Sequence, residues 1–150
     1  RTFINANRNI QEYQQFGLPV ISDQTENYAG PLAGVLSGMA FADSGVLLVM
    51  PCDTPFVTAD HLDKLLTSLV ANHADIAVAF DGERLHPVFL ALKTDLKASL
   101  QNYLQSGHRK VETWLDQHNT VRVDFSGDKD IFTNINSLAE LAELEAQNKR

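Results

Sequence analysis

The chain has 150 residues, 44% of them hydrophobic and 21% charged, with 8 Gly and 5 Pro, which suits one globular domain with its own core and excludes collagen-like, low-complexity and disordered classes. A formal net charge of −7, from 12 basic and 19 acidic residues, argues against sequence-independent nucleic-acid binding, which needs a surplus of Lys and Arg, but leaves room for a local basic pocket. The single cysteine, Cys52, cannot close an internal disulfide, so a reducing, cytoplasmic setting is expected, and no apolar run reaches membrane-spanning length.

In chain order, Thr2-Phe3-Ile4-Asn5 reads as the last half of a strand. A domain rarely opens mid-strand, so further sequence is expected upstream of Arg1; RTFINANRN itself has no apolar stretch of signal-peptide length. Ile10, Tyr13 and Phe16 have helical spacing, with Gly17 placed to end that helix. Leu18 to Ser22 reads as a short strand whose Pro belongs at an edge or a strand start, and Asp23 to Ala29 reads as a loop. Gly30-Pro31 opens a helix to about Phe41, since Pro is well tolerated at the first helical position. Gly45 to Met50 (GVLLVM) is apolar without alternation, the pattern of a strand buried on both faces of a parallel sheet.

Thr58 is placed to cap a helix with an apolar stripe of Leu62, Leu65, Leu66, Leu69 and Val70. Asp75 to Phe80 is a strand, Asp81-Gly82 a hairpin-type turn and Pro87 to Leu92 the return strand. Thr94 is placed to cap a helix carrying Leu96, Leu100, Tyr103 and Leu104. A short helix over Lys110 to His118, a strand over Thr120 to Phe125 and a terminal helix behind the capping box Ser137-x-x-Glu140 complete the chain. The alternation of strands and helices predicts an α/β fold with a mostly parallel sheet and helices on both faces. Ligands of such folds bind outside the carboxyl ends of the strands, so the residues that follow each strand are the candidates.

Asp53, in Pro51-Cys52-Asp53-Thr54-Pro55, follows the apolar run GVLLVM directly. A carboxylate there suits Mg²⁺ held against substrate phosphates; the plainer alternative is a turn cap before Pro55. Cys52 reads as packing, since nothing nearby would lower its pKa. Gly30 and Gly34, four apart at a helix start, allow close approach of backbone to a ligand, although Gly34 also suits helix packing. Asn5 and Asp23 follow the first two strands and suit a base or ribose edge, or a turn. Asn134 and Asn136 precede the last helix, as ligand contacts or as turn residues. His86 reads as a packed or surface residue, Arg109 and Lys110 as solvent-exposed, and the five histidines show no metal-binding spacing.

INANRN, YAGPLAG, PCDTP, DGERLHPVFLAL and NINSLAEL occur in that order, and together the set resembles the molybdenum cofactor guanylyltransferases over essentially all 150 residues. The resemblance implies a Rossmann-like nucleotidyltransferase fold. It implies transfer of GMP from GTP to the phosphate of molybdenum-bearing molybdopterin, with Mg²⁺ as cofactor and pyrophosphate released. Asp53 falls on the family's metal-binding aspartate, Asn5 and Asp23 on GTP-binding positions, Gly30 and Gly34 on glycines that line the site, and Asn134 and Asn136 on an asparagine pair at the pterin side. Molybdoenzymes or cofactor-delivery proteins are the implied protein partners, with no nucleic acid and no membrane.

The family opens with a first strand and a Gly-rich loop of the type L-A-G-G-x-x-x-R-M-G-x-x-K, which these residues do not contain. A strand, loop, helix and return strand take roughly 30 residues or more. Residues 1–150 are therefore expected to form a single nucleotidyltransferase domain without its N-terminal strand, loop and helix, inactive on its own. Three alternatives remain at this level: a cytidylyl- or sugar-1-phosphate nucleotidyltransferase, a receiver module, and a non-catalytic pterin- or partner-binding fragment. The receiver fits worst, because Asn5 stands where its acidic pair would be and Ser126-Gly127 where its late Lys would be.

Overall fold

The computed structural model describes residues 4–5, 20–21, 30–51 and 56–133. Two short strands, β1 (Ile4–Asn5) and β2 (Val20–Ile21), pair in parallel, Ile4 opposite Val20 and Asn5 opposite Ile21. They are followed by α1 (Pro31–Phe41), β3 (Val46–Val49), α2 (Ala59–Ala71), β4 (Ile76–Phe80) and β5 (Leu85–Lys93). A 3₁₀ turn (Thr94–Leu96) leads into α3 (Lys97–Gln105), α4 (Val111–Asp116) and β6 (Thr120–Asp124), and a second 3₁₀ segment (Ser126–Phe132) ends the described chain. The expected helix over 9–16 and the expected C-terminal helix lie outside the described residues.

Among the described residues, a four-stranded sheet has the order β3-β5-β4-β6. β5 is antiparallel to β3 and to β4, and β4 is parallel to β6. So β3, β4 and β6 all run one way and β5 alone is reversed. That is an α/β arrangement, as the alternation of elements predicts, in which β5, returning from the Asp81-Gly82 hairpin, makes antiparallel ladders on both of its sides.

The strands alternate large and small side chains between the two faces. Ile76, Val78, Leu90 and Leu92 join Leu47 on one face, against Leu32, Val35 and Met39 of α1, with α3 and α4 completing that core. Ala77, Ala79 and Ala91 face the other way with Phe89 and Val123, under Leu65 and Leu69 of α2. Period-two geometry separates these sets. Trp114 of α4 is fully buried, and its Nε1–H donates to Ser99 Oγ at 3.2 Å, so its one polar group is satisfied.

Three local expectations need correction. GVLLVM is not buried on both faces: Leu48 is 36% and Met50 38% exposed, while Leu47, pointing the other way from Leu48, is buried. Thr94 does not cap a helix; its hydroxyl donates to the Ser44 carbonyl at 2.9 Å, tying the turn to the approach of β3. The 3₁₀ segment Ser126–Phe132 was not expected; it starts where the Ser126 N–H donates to Asp124 Oδ1 at 2.8 Å, a side chain-to-backbone turn.

Candidate functional site at the carboxyl edge of the sheet

Because β3, β4 and β6 share a direction, their carboxyl ends lie on one edge, and the amino end of the reversed β5 lies there too. Pro51, Asp81, Asp124 and His86 mark that edge. Pairing along β5 is interrupted just there: Val78 is opposite Leu90, but the next residue, Ala79, is opposite His86. Pro87, Val88 and Phe89 therefore form a bulge, which accommodates a proline that could not donate to the ladder and re-aims the histidine before it.

Asp81 organises the turn between β4 and β5. Its Oδ1 accepts the N–H groups of Glu83 at 2.8 Å and Arg84 at 2.9 Å, and its Oδ2 accepts Nε2–H of His86 at 2.7 Å. The hydrogen bond from His86, then those from the two backbone N–H groups, hold its carboxyl well below the usual carboxylate range. Gly82 has φ +99°, which favours glycine, and a Cβ there would stand 3.1 Å from Cβ of Ser126. The turn thus abuts the 3₁₀ segment closely.

The same segment is held twice more. His61 and Thr58 form a capping box at the start of α2, with histidine in the place usually taken by Glu or Gln; the Thr58 N–H donates to Nδ1 of His61 at 2.9 Å. With Nδ1 accepting, the neutral ring carries its proton on Nε2, which donates to Asp128 Oδ2 at 2.7 Å. Lys64, one turn on, donates to the Asp124 carbonyl and lies 4.6 Å over the ring of Phe125. At the far end, the ring of His86 stacks on Phe132, with centroids 3.7 Å apart and planes 7° apart, and Phe89 meets Phe132 edge-on at 5.0 Å.

The residues picked out in the sequence divide into those the structure describes and those it does not. Gly30 precedes α1 at φ +89°, a left-handed conformation that favours glycine, with Pro31 at the start of the helix and no side chain capping it. Gly34 is half-buried in the first turns of α1. Asn5 ends β1 opposite Ile21, so the carboxyl ends of β1 and β2 adjoin in parallel. Asp23, Asp53, Asn134 and Asn136 lie outside the described residues; Asp53 falls between Pro51 and Phe56, and Asn134 directly follows Thr133.

The structure adds two histidine–carboxylate pairs that the sequence reading passed over, His86 with Asp81 and His61 with Asp128. The first had a sequence cue: an Asp-Gly turn followed, five residues after the aspartate, by His-Pro at the start of the return strand. The second joins residues 67 apart and had none.

The profile of the MobA-like NTP transferase domain matches residues 1–122. A molybdenum cofactor guanylyltransferase of Pasteurella multocida is 45% identical over 138 residues, covering 92% of this chain and 73% of the relative. Another, of Shewanella sediminis, is 43% identical over 141 residues, covering 94% of this chain and 72% of the relative. In structure, the molybdopterin-guanine dinucleotide biosynthesis protein A of Archaeoglobus fulgidus superposes with a TM-score of 0.73 at 20% identity, covering 93% of this chain and 73% of that one; at this identity the likeness is one of fold. The co-directional strands with their crowded carboxyl edge, and relatives this similar over nine-tenths of the chain, place it in the MobA-like NTP transferase family, as a nucleotidyltransferase enzyme related to the molybdenum cofactor guanylyltransferases.

Proposed function

We propose that this protein transfers GMP from GTP to the phosphate of molybdenum-bearing molybdopterin and releases pyrophosphate. The observation that carries the reading is the 45% identity, over 92% of the chain, to a protein named for guanylyl transfer to the molybdenum cofactor. The sequence motifs support it, since Asp53 comes shortly after β3 and Gly30 directly before α1, positions that nucleotide sites in such folds use.

In this reading a phosphate oxygen of the pterin forms a bond to the α-phosphorus of GTP as the bond from that phosphorus to the β-phosphate oxygen breaks. Asn5 and Asp23 hold the guanine and ribose edges. Gly30 and Gly34 let the start of α1 come close to the nucleotide, and Asn134 and Asn136 hold the acceptor. Asp53 is a hard oxygen donor just beyond β3, the donor type that Mg²⁺ takes from proteins at phosphate sites. When bound, the cation offsets negative charge on the phosphates as the two anions approach. The chain's own contribution is positioning and fixed charge, as is general for phosphoryl and nucleotidyl transfer. Molybdoenzymes or cofactor-delivery proteins are the receiving partners in this reading, in a cytoplasmic setting. No helix of the described residues is long and apolar enough to cross a membrane.

Asp53→Asn tests the assignment, because it keeps size and turn geometry but removes the charge. In protein made from the complete reading frame, Mg²⁺-dependent turnover should fall by about 10²–10³, the scale for losing one preorganised electrostatic contact. The melting temperature should hold. Near-normal turnover would refute the metal-ligand role and leave Asp53 a turn cap, which Asn serves as well.

A further inference from the structure

His61 joins two elements, one through each ring nitrogen. Nδ1 accepts the Thr58 N–H at 2.9 Å, which caps α2, and Nε2 stands 2.7 Å from Oδ2 of Asp128 in the 3₁₀ segment Ser126–Phe132. The ring is 17% exposed and meets Phe125 edge-on at 6.0 Å. A backbone N–H can only donate, so the Thr58 contact needs Nδ1 bare and puts the proton of the neutral ring on Nε2. The Glu or Gln usual at this place in a capping box always offers an oxygen to that N–H. An imidazole stops offering its acceptor once it takes up a proton, which imidazoles do between about pH 5 and 8.

We propose that His61 is a pH-sensitive clasp that trades its hold on one element for its hold on the other. As the ring takes up a proton, Nδ1 becomes a donor facing the Thr58 donor. That cap contact is lost, and Nδ1–H turns to Thr58 Oγ1, 3.2 Å away. The bond from Nε2 to Asp128 becomes an ion pair at the same time, because the ring is now positive. Acidification therefore loosens the start of α2 and tightens the hold on the 3₁₀ segment. Asp60 and Lys64 on α2, Asp124 at the end of β6, and Lys129 and Asp130 in the segment are the charged groups around these contacts. Lys64 is turned onto the Asp124 carbonyl and the Phe125 ring. The Asp124 carboxylate is turned onto the Ser126 N–H, a bond that holds its pKa below the usual range, so it keeps its charge throughout. His86, stacked on Phe132 at the segment's far end, is a second imidazole on the same segment, so the test needs a variant at His61 itself.

The test compares wild type, His61→Gln and Asp128→Asn, all made from the complete reading frame, at about pH 8 and about pH 5, the two ends of the imidazole range. Imidazole ¹⁵N shifts give the tautomer of His61. Exchange of the Thr58 amide, and of the Asp128 amide that donates to the Phe125 carbonyl, is read as protection relative to an unstructured amide at the same pH. In wild type Nδ1 should be bare at the higher pH. On acidification the protection of Thr58 should fall about fivefold, the scale of losing one cap. That of Asp128 should rise about two- to fivefold, the scale of a partly exposed ion pair. His61→Gln, the usual capping-box residue, should show neither change. Asp128→Asn still offers Nε2–H an acceptor but no charge, so it should keep the fall at Thr58 and lose the rise at the segment.

A neutral ring protonated on Nδ1 overturns the proposal. So does loosening of both elements together on acidification, or no change at either. Opposed changes that persist in His61→Gln also overturn it, by showing that another group titrates. If His61→Gln does not fold, Asp128→Asn decides: losing the rise while keeping the fall upholds the clasp, and any other pattern overturns it.

Discussion

Asp81 is mostly buried, yet three hydrogen bonds converge on its carboxylate, so its charge is part of the fold. The folded-state pKa lies below the unfolded value of about 3.9. The resulting stabilisation is complete above that value and is lost as pH falls through the folded one. Asp81→Asn removes the group that titrates. The variant should therefore be less stable than wild type at pH 5 to 7, and the gap should narrow steadily as pH falls below about 4. Urea midpoints across that range read this directly, and a gap that stays constant would contradict it. At this scale the sequence was legible where one residue suffices. Gly82 adopts a left-handed conformation in the turn that Asp-Gly announced, and Gly30, which read as the start of a helix, adopts one just before α1. His86 read as either packed or on the surface; the structure packs it, and its partners were hidden because they depend on a bulge that shifts pairing by three residues.

Among the elements, the contrast between the sheet's faces explains why α2 packs where it does. Ala77, Ala79 and Ala91 leave room for Leu65 and Leu69 to approach the backbone, whereas the Ile, Val and Leu face is spanned by three helices. Replacing Ala77, fully buried under α2, with Leu should cost about 1–3 kcal/mol through overpacking. Chemical denaturation measures this, and a variant as stable as wild type would show that α2 does not press on that face. The helices of residues 31–41, 59–71, 97–105 and 111–116 were each expected within a few residues, because Pro31, the Thr58 cap and the apolar stripes are local features. The exposure of Leu48 was not legible: an unbroken apolar run has no period to say which of its side chains another layer will cover. Nor was the 3₁₀ segment, whose polar residues gave no period and whose order comes from contacts with β5 and α2.

Across the described residues, three co-directional strands bring the ends of distant segments to one edge, which is how Pro51, Asp81 and Asp124 come to lie together there. The shared direction of three strands was legible from element order alone. Asp53, Asp23, Asn134 and Asn136 lie outside the described residues, so their roles rest on the family and on chain continuity. The choice of guanine over cytosine has no local signature in the sequence, since both bases are read by the same kinds of polar side chain. The most direct test follows label from nucleotide to product. With molybdenum-bearing molybdopterin as acceptor and Mg²⁺ present, label from the α-phosphate of GTP should appear in a pterin dinucleotide, and label from the γ-phosphate in pyrophosphate. CTP should give less than a tenth of the rate, the loss of about one 1.4 kcal/mol step of discrimination. Equal transfer from CTP, or no label in the pterin product, would contradict the account.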